Sequence, residues 1–404
     1  MGGTGVTGGT GGTGQGRGRW LALLGSSVVA VGILAVAWPR LARRPGPGVR
    51  LHEVSGLPPR APNVLGEEEN PTTPERWRYF LTPEQADHCY DFLGDPRRAY
   101  DPWVYCRDAG NLNDRFPRPE HPNRHWWWRT NSLGLREDHE LDDPPRDLRV
   151  LVAGDSHTFG LCDNSETFAN LLEGRLARLH PGRTVEVLNA GYGGYTFHQY
   201  LGTILRLRSF APQVCVVTVF GGNDFVELVV LESQFAGRPL PPMSAEFHAR
   251  RAKALACSAD AMGQGLNSAD SFRAWPEEEP KMVAAAIARC VEMRRVAEAN
   301  GSRLIIAFLP SPFDFDWPKQ PKYALDARAA LGLTDAELAV NRRMGEGLLA
   351  GLREAGVTVL DLRPVLERES PPPYWRLDFH LDLRGHARVA EALEPLVEAE
   401  LSRR

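Results

Sequence analysis

The sequence predicts a three-layer α/β/α protein with about five parallel strands, preceded by an N-terminal transmembrane segment. Three observations predict it. Short apolar, β-branched runs alternate with helical stretches from residue 148 onward; glycine-rich turns carrying Ser, Asn, Asp or His follow those runs; and residues 20–38 hold no charge. Strands that alternate with helices build a parallel sheet covered on both faces, so each strand reads as a nearly continuous apolar run.

The elements follow in chain order. Residues 1–19 contain ten Gly and four Thr, a composition that cannot bury a core and is expected to be a disordered tail. Its glycines are no phosphate loop, because no GK[ST] follows them. Residues 20–38 (WLALLGSSVVAVGILAVAW) are just long enough to span a hydrocarbon core at about 1.5 Å per residue, with a Trp at each end. They are expected to be a retained membrane anchor. A cleavable signal segment is the alternative, with Ala35-Val36-Ala37 as the cleavage site. Arg17 and Arg19 precede the span and Arg40, Arg43 and Arg44 follow it, so the positive charges do not favour export. Residues 39–75, Pro-rich from 45, read as a semi-extended linker. Residues 76–147 read as an irregular, aromatic-rich region before the main domain, including the run His125-Trp126-Trp127-Trp128-Arg129. Packing is the favoured role of those tryptophans over a sugar platform.

The catalytic domain is expected over 148–404. Strands are read at 148–153, 184–190, 213–220, 303–309 and 358–363. Helices are read near 165–180, 196–210, 277–300 and 335–355, with a closing helix from Gly385. Residues 225–275 interrupt the alternation and read as an insertion able to act as a lid.

Charge narrows the function. The first 50 residues carry six Arg and no Asp, Glu or Lys; the other 354 carry 41 basic against 51 acidic residues, a net charge of −10. An acidic body lacks the positive charge that displaces counterions from phosphates, so nucleic acid is not an expected partner. No zinc or calcium spacing is present, and no cofactor is expected.

In open parallel sheets, chemistry sits at the carboxyl ends of the strands. Gly154-Asp155-Ser156-His157 follows the first strand, Asn189-Ala190-Gly191-Tyr192-Gly193-Gly194 the second, and Gly221-Gly222-Asn223-Asp224 the third. Asp378-Phe379-His380 precedes the last helix. A Ser at a strand-to-helix junction can serve as nucleophile, a His as the base that takes its proton, and an Asp as the group that orients the His. Glycine-turn N–H groups and an Asn amide supply oxyanion donors.

These blocks resemble the SGNH/GDSL hydrolase family. GDS at 154–156 matches the nucleophile block, NAGYGG at 189–194 the second, GGND at 221–224 the third, and DFHLDLRGHARVA at 378–390 the last. The resemblance covers roughly residues 130–400 and includes TNSLGLRE at 130–137, similar to a segment of membrane-anchored bacterial members. It implies a flavodoxin-like fold and a serine esterase acting through an acyl-enzyme on Ser156. His380 would be the base and Asp378 its acid, with Ser156, Gly194 and Asn223 as oxyanion donors. The substrate would be an ester, with O-acetyl groups on carbohydrate among those admitted. Many members place the Asp three residues before the His. Here the interval is two, as in sugar O-acetyltransferase relatives, so acyl transfer to a polysaccharide is the alternative activity; a non-catalytic binding module is the second alternative.

Each residue also has a competing role. Ser156 could cap the helix it opens. Asp155 is expected to organise the turn, and His157 to be an exposed neighbour of the site. Asn223 could be a turn residue, with Asp224 capping the next helix. His386 is the alternative base and Asp382 the alternative acid. Residues two apart on an extended segment point to the same side, which fits Asp378 and Asp382 equally. Asp378 is preferred because it lies upstream of the base, where the family places its acid, whereas Asp382 could cap the last helix. The six cysteines form no CxxC pair. Cys215 reads as core filler, while Cys89–Cys106 and Cys257–Cys290 are the expected bridges. Such bridges, with the Pro-rich linker, suit a catalytic domain outside the cytoplasm.

Overall fold

A computed structural model of the chain describes residues 69–141, 146–315 and 320–403. The tail, the charge-free segment 20–38 and the linker up to residue 68 lie outside the described residues. Among the described residues no helix is long and apolar enough to cross a membrane.

The chain first forms helix α1 (Pro83–Tyr90) and two antiparallel hairpins, β1–β2 (Arg98–Asp101 and Tyr105–Asp108) and β3–β4 (Asn113–Pro117 and His125–Arg129). The region read as irregular is therefore ordered by local pairing. Its apolar residues Trp77, Tyr79 and Tyr105 belong to the same core cluster as the main sheet. The tryptophan run packs as expected. Trp126 is buried and stacks on Phe116 at 5.5 Å between ring centres, and Trp128 Nε1 donates to Asp108 Oδ2 at 3.0 Å.

Five parallel strands follow: β5 (Leu148–Ala153), β6 (Val185–Asn189), β7 (Val214–Phe220), β8 (Arg303–Leu309) and β9 (Thr358–Asp361). They lie in the order β6-β5-β7-β8-β9. The sequence-predicted strands thus agree with the observed ones, with ends trimmed by up to two residues. Every residue of β5 and β7 is buried, which explains their unbroken apolar character. The exception inside β5 is Arg149. It faces Glu186 across the β5–β6 register, pairs with that carboxylate and donates to the Phe210 carbonyl, so the buried charge is compensated.

The helices that matter for the site are α2 (Ser156–Phe159), α3 (Phe168–Leu179), α4 (Phe197–Leu207) and α5 (Asp224–Phe235). They are followed by α6 (Ala245–Cys257), α7 (Asn267–Ala274), α8 (Glu278–Ala299), α9 (Lys322–Leu331), α10 (Val340–Glu354) and the closing α11 (Leu383–Ser402). Helix α4 is buried almost all round because the 69–141 region covers it. A Cβ on Gly202 would lie 1.8 Å from the Trp103 carbonyl oxygen. The 225–275 insertion is helical, and its first part, α5, is core rather than lid: ten of its twelve residues are buried.

The expected disulfides are not formed, because all six cysteines are free thiols. Cys106 Sγ instead lies 3.1 Å from the Tyr192 hydroxyl, while Cys257 is exposed at the end of α6 and Cys290 is buried inside α8. Five of the six thiols are buried, and burial alone pushes Cys89 up to about 12. They behave as apolar filler. The disulfide argument for an extracytoplasmic domain therefore falls away.

Candidate active site

Strand order reverses at β5: β6 lies on one side and β7 on the other, although both follow it in sequence. Such a switch point opens a crevice at the carboxyl edge, where the turns after β5, β6 and β7 meet. Ser156 opens α2 at the end of β5. Its neighbour Asp155 provides the cap, accepting the His157 N–H at 2.9 Å, so capping is not the work of Ser156. Gly154 makes the tight approach possible, since a Cβ there would lie 1.9 Å from Thr158 Oγ1 and 2.2 Å from Thr218 Oγ1.

Ser156 Oγ lies 2.9 Å from His380 Nε2. On the other side of the ring, His380 Nδ1 is 3.5 Å from Asp378 Oδ1, an ion-pair separation longer than a hydrogen bond. The structure thus aligns Ser156, His380 and Asp378, separated by more than 220 positions in the chain. The extended backbone expected above for the last pair needs correction. The segment is not extended: Phe379 has φ +62°, and Asp378 Oδ1 accepts the His380 N–H at 3.2 Å, an Asx-type turn. This turn brings the carboxylate to the imidazole. A bulky residue at positive φ is costly, and full burial of Phe379 against Phe313 and Tyr323 offsets that strain. The loop is closed at its base by the Tyr374–Leu381 bridge and by the Trp375 N–H on the His380 carbonyl at 2.8 Å.

Arg118, at the tip of the β3–β4 hairpin, donates through Nη2 to Asp378 Oδ2 and lies 5.3 Å over the Trp375 ring. Burial by itself would raise the Asp378 carboxyl. The Arg118 guanidinium, together with His380, overrides that and holds it well below the usual carboxylate range. Glu120, two residues on, accepts the N–H groups of Arg376 and Leu377, each at 2.9 Å.

Gly194, with φ +83°, and Asn223 occupy the turns after β6 and β7 that flank the Ser156 turn. Asn223 makes no side-chain cap to α5, and its Oδ1 is buried without a hydrogen-bond partner. Asp224 does not cap either. Its carboxylate turns inward and accepts the Phe220 N–H and the Tyr200 hydroxyl, both at 2.8 Å.

Three further assignments are settled by burial and hydrogen bonding. His157 is not an exposed neighbour: it is 1% exposed, with its ring 4.0 Å from Phe220 and 4.9 Å from His380. The short α2 turns that side chain under the sheet edge rather than outward. His386 is buried against Phe168 and accepts the Phe168 N–H at 3.2 Å. Burial, reinforced by nearby cations, lowers it to about 3. Asp382 caps α11 through the N–H groups of Arg384 and Gly385 at 2.8 and 2.9 Å. Arg118 and Gln264 were not found in the sequence. The Gln264 amide nitrogen sits 3.2 Å from His380 Nε2, yet no local spacing marks a residue that arrives from a distant segment.

The fold is thus a five-stranded parallel α/β sheet with a serine–histidine contact at the carboxyl edge of its strands. The model of the GDSL-like lipase/acylhydrolase family matches residues 152–388; the chain belongs to that family and is an ester-bond hydrolase. Solved structures similar to it include TesA, at 17% identity over 62% of this chain and 99% of that one (TM-score 0.35). Esterase EstA from Pseudoalteromonas sp. matches at 10% identity over 64% and 100% (TM-score 0.35). A catalytic mutant of Axe2, an acetylxylan esterase from Geobacillus stearothermophilus, matches at 12% identity over 64% and 96% (TM-score 0.36). Likeness at this level says nothing about substrate. Among curated proteins none matches the chain.

Proposed function

We propose that the protein is a serine esterase that cleaves short acyl esters through an acyl-enzyme on Ser156. The observation that carries the reading is the 2.9 Å contact between Ser156 Oγ and His380 Nε2. In the first half-reaction the Ser156 proton passes to His380 Nε2 as Oγ bonds to the carbonyl carbon. The resulting oxyanion is held by the Ser156 and Gly194 N–H groups and the Asn223 amide. The bond to the alkoxy oxygen then breaks, and His380 returns the proton to that oxygen. Water repeats the sequence on the acyl-enzyme, releasing the acid and restoring the serine hydroxyl. Asp378 orients the imidazole and stabilises the imidazolium.

A short acyl group is the simplest ester this arrangement would cleave, since it asks of the site only the serine, its base and the oxyanion donors. O-acetyl groups on carbohydrate are the substrate class in this reading. The charge-free Trp20–Trp38 stretch supports a tether to a membrane, and the Pro-rich linker after it supports a catalytic body held clear of the bilayer.

The test is a fluorophosphonate probe on the full chain. It should label the wild type and leave Ser156→Ala unlabelled, and equal labelling of both would refute the assignment. Free acetate released from an acetylated oligosaccharide identifies hydrolysis; acetate recovered on an added sugar acceptor identifies transfer.

A further inference from the structure

A backbone N–H and two side chains form a directed hydrogen-bond line into the base from the side opposite Asp378. The Leu381 N–H lies 3.3 Å from His157 Nδ1. A backbone N–H can only donate, so Nδ1 of this buried ring is the acceptor and its proton sits on Nε2. That Nε2 lies 2.8 Å from Gln264 Oε1, which accepts it. The Gln264 amide is thereby oriented with its NH₂ toward His380, and Nε2 of His380 is 3.2 Å away. An NH₂ group can only donate, so it requires a lone pair at His380 Nε2, the same lone pair that faces the Ser156 hydroxyl.

The amide is held firmly. Gln264 lies just before a kink between two helical stretches, where Gly265 has φ +150°. Its carbonyl accepts from Ser311 Oγ at 2.8 Å, and the next carbonyl, of Gly265, accepts from Asn341 Nδ2 at 3.4 Å; Ser311 and Asn341 are fully buried. Gln264 itself is 7% exposed.

We propose that Gln264, oriented by His157, is a positioning residue that fixes the proton of His380 on Nδ1 and keeps Nε2 free to receive the serine proton. The proposal rests on the reading of His380 as base. When His380 is protonated at Nε2, two donors face each other and the amide opposes the imidazolium. Burial, with the His380 ring beside it, drives His157 well below its ordinary value, so the far end of the line stays neutral. The other titratable or charged groups around His380 are Asp378 on its own loop, Asp155 beside Ser156, Asp260 on the insertion, His386 on α11 and Arg118 behind Asp378. Among the described residues Gln264 and the Ser156 hydroxyl are the neutral donors on the reacting nitrogen.

The experiment is the pH profile of kcat/KM for a p-nitrophenyl acetate substrate. Gln264→Glu replaces the donor by an acceptor and a negative charge, which favours protonated His380. The acidic limb should move to higher pH by about one unit, so that on that limb the variant loses up to about tenfold more activity than the wild type at the same pH. A profile superimposable on the wild type overturns the proposal. If Gln264→Glu does not fold, nitrogen NMR of histidine-labelled wild type decides. The proposal requires His157 protonated on Nε2 and neutral His380 protonated on Nδ1, and the opposite tautomer of either ring overturns it. His380→Ala separates the two readings, because retained Ser156 labelling in that variant refutes the base assignment whatever Gln264 does.

Discussion

Arg118 and Asp378, 260 positions apart, form a part-buried ion pair behind the histidine that faces Ser156. The guanidinium comes from a hairpin outside the family-matched segment 152–388, and the carboxylate lies inside it. Loss of the cation leaves a buried carboxylate with only the imidazole to compensate it. Arg118→Ala should therefore lower turnover on the order of 10²-fold, less than the roughly 10⁴-fold typical of losing the orienting acid itself. It should also destabilise the fold by about 3 kcal/mol. Arg118→Lys keeps the charge but not the forked geometry and should recover only part of the activity. Turnover per folded molecule, with folding followed by circular dichroism, checks both.

The two carboxylates beside His380 should separate cleanly. Asp378→Asn should cost several orders of magnitude in turnover, because the amide no longer stabilises the imidazolium. Asp382→Asn weakens a helix cap and should cost up to about 1 kcal/mol with turnover retained. Melting curves and initial rates on the same samples distinguish them; the reverse pattern would transfer the orienting role to Asp382.

Asn223→Ala tests the oxyanion role. Removal of one donor typically lowers kcat by about 10²–10³. Asn223 makes no cap and its Oδ1 is already unpartnered, so melting temperature should hardly change. A variant that is less stable but equally fast per folded molecule would make Asn223 a structural residue.

His386 predicts an acid-sensitive stability term. Its value in the fold is about 3, against about 6.5 for an exposed histidine. Below pH 6.5 the unfolded chain takes up a proton that the folded chain refuses. The term is complete above about pH 6.5 and is lost progressively as pH falls toward 3. Between pH 7 and 5 the wild type should lose about 2 kcal/mol through this group, and His386→Asn should lose correspondingly less. Denaturant midpoints at the two pH values measure the difference. Unchanged turnover in the same variant agrees with a residue that packs on Phe168 rather than acting as base.

The sheet was legible because β5 and β7 are buried on both faces and so carry no polar alternation to obscure them. Ser156 and His380 were legible because each sits in a short block next to a strand or helix end. Asp378 was preferred for its upstream position, and its carboxylate does lie beside the imidazole; the extended backbone assumed for the pair is absent, since the positive φ of Phe379 leaves no periodic trace. The burial of His157 was missed because one polar residue after a serine looks the same whether its ring turns out or under. Arg118, Glu120 and Gln264 were invisible for a different reason: they meet the site only through tertiary contacts across more than 100 positions. The aromatic hairpins escaped notice because their apolar residues share a core with the main sheet rather than forming a periodic face of their own.

The clamp of residues 118–120 on residues 376–378 also has a temporal meaning. During synthesis the hairpin emerges well before its partner loop, which follows 260 positions later. Contacts of such long sequence separation carry the full entropy of closing the intervening chain and form late in folding. The histidine that faces Ser156 is therefore held in place only once these two distant segments have met.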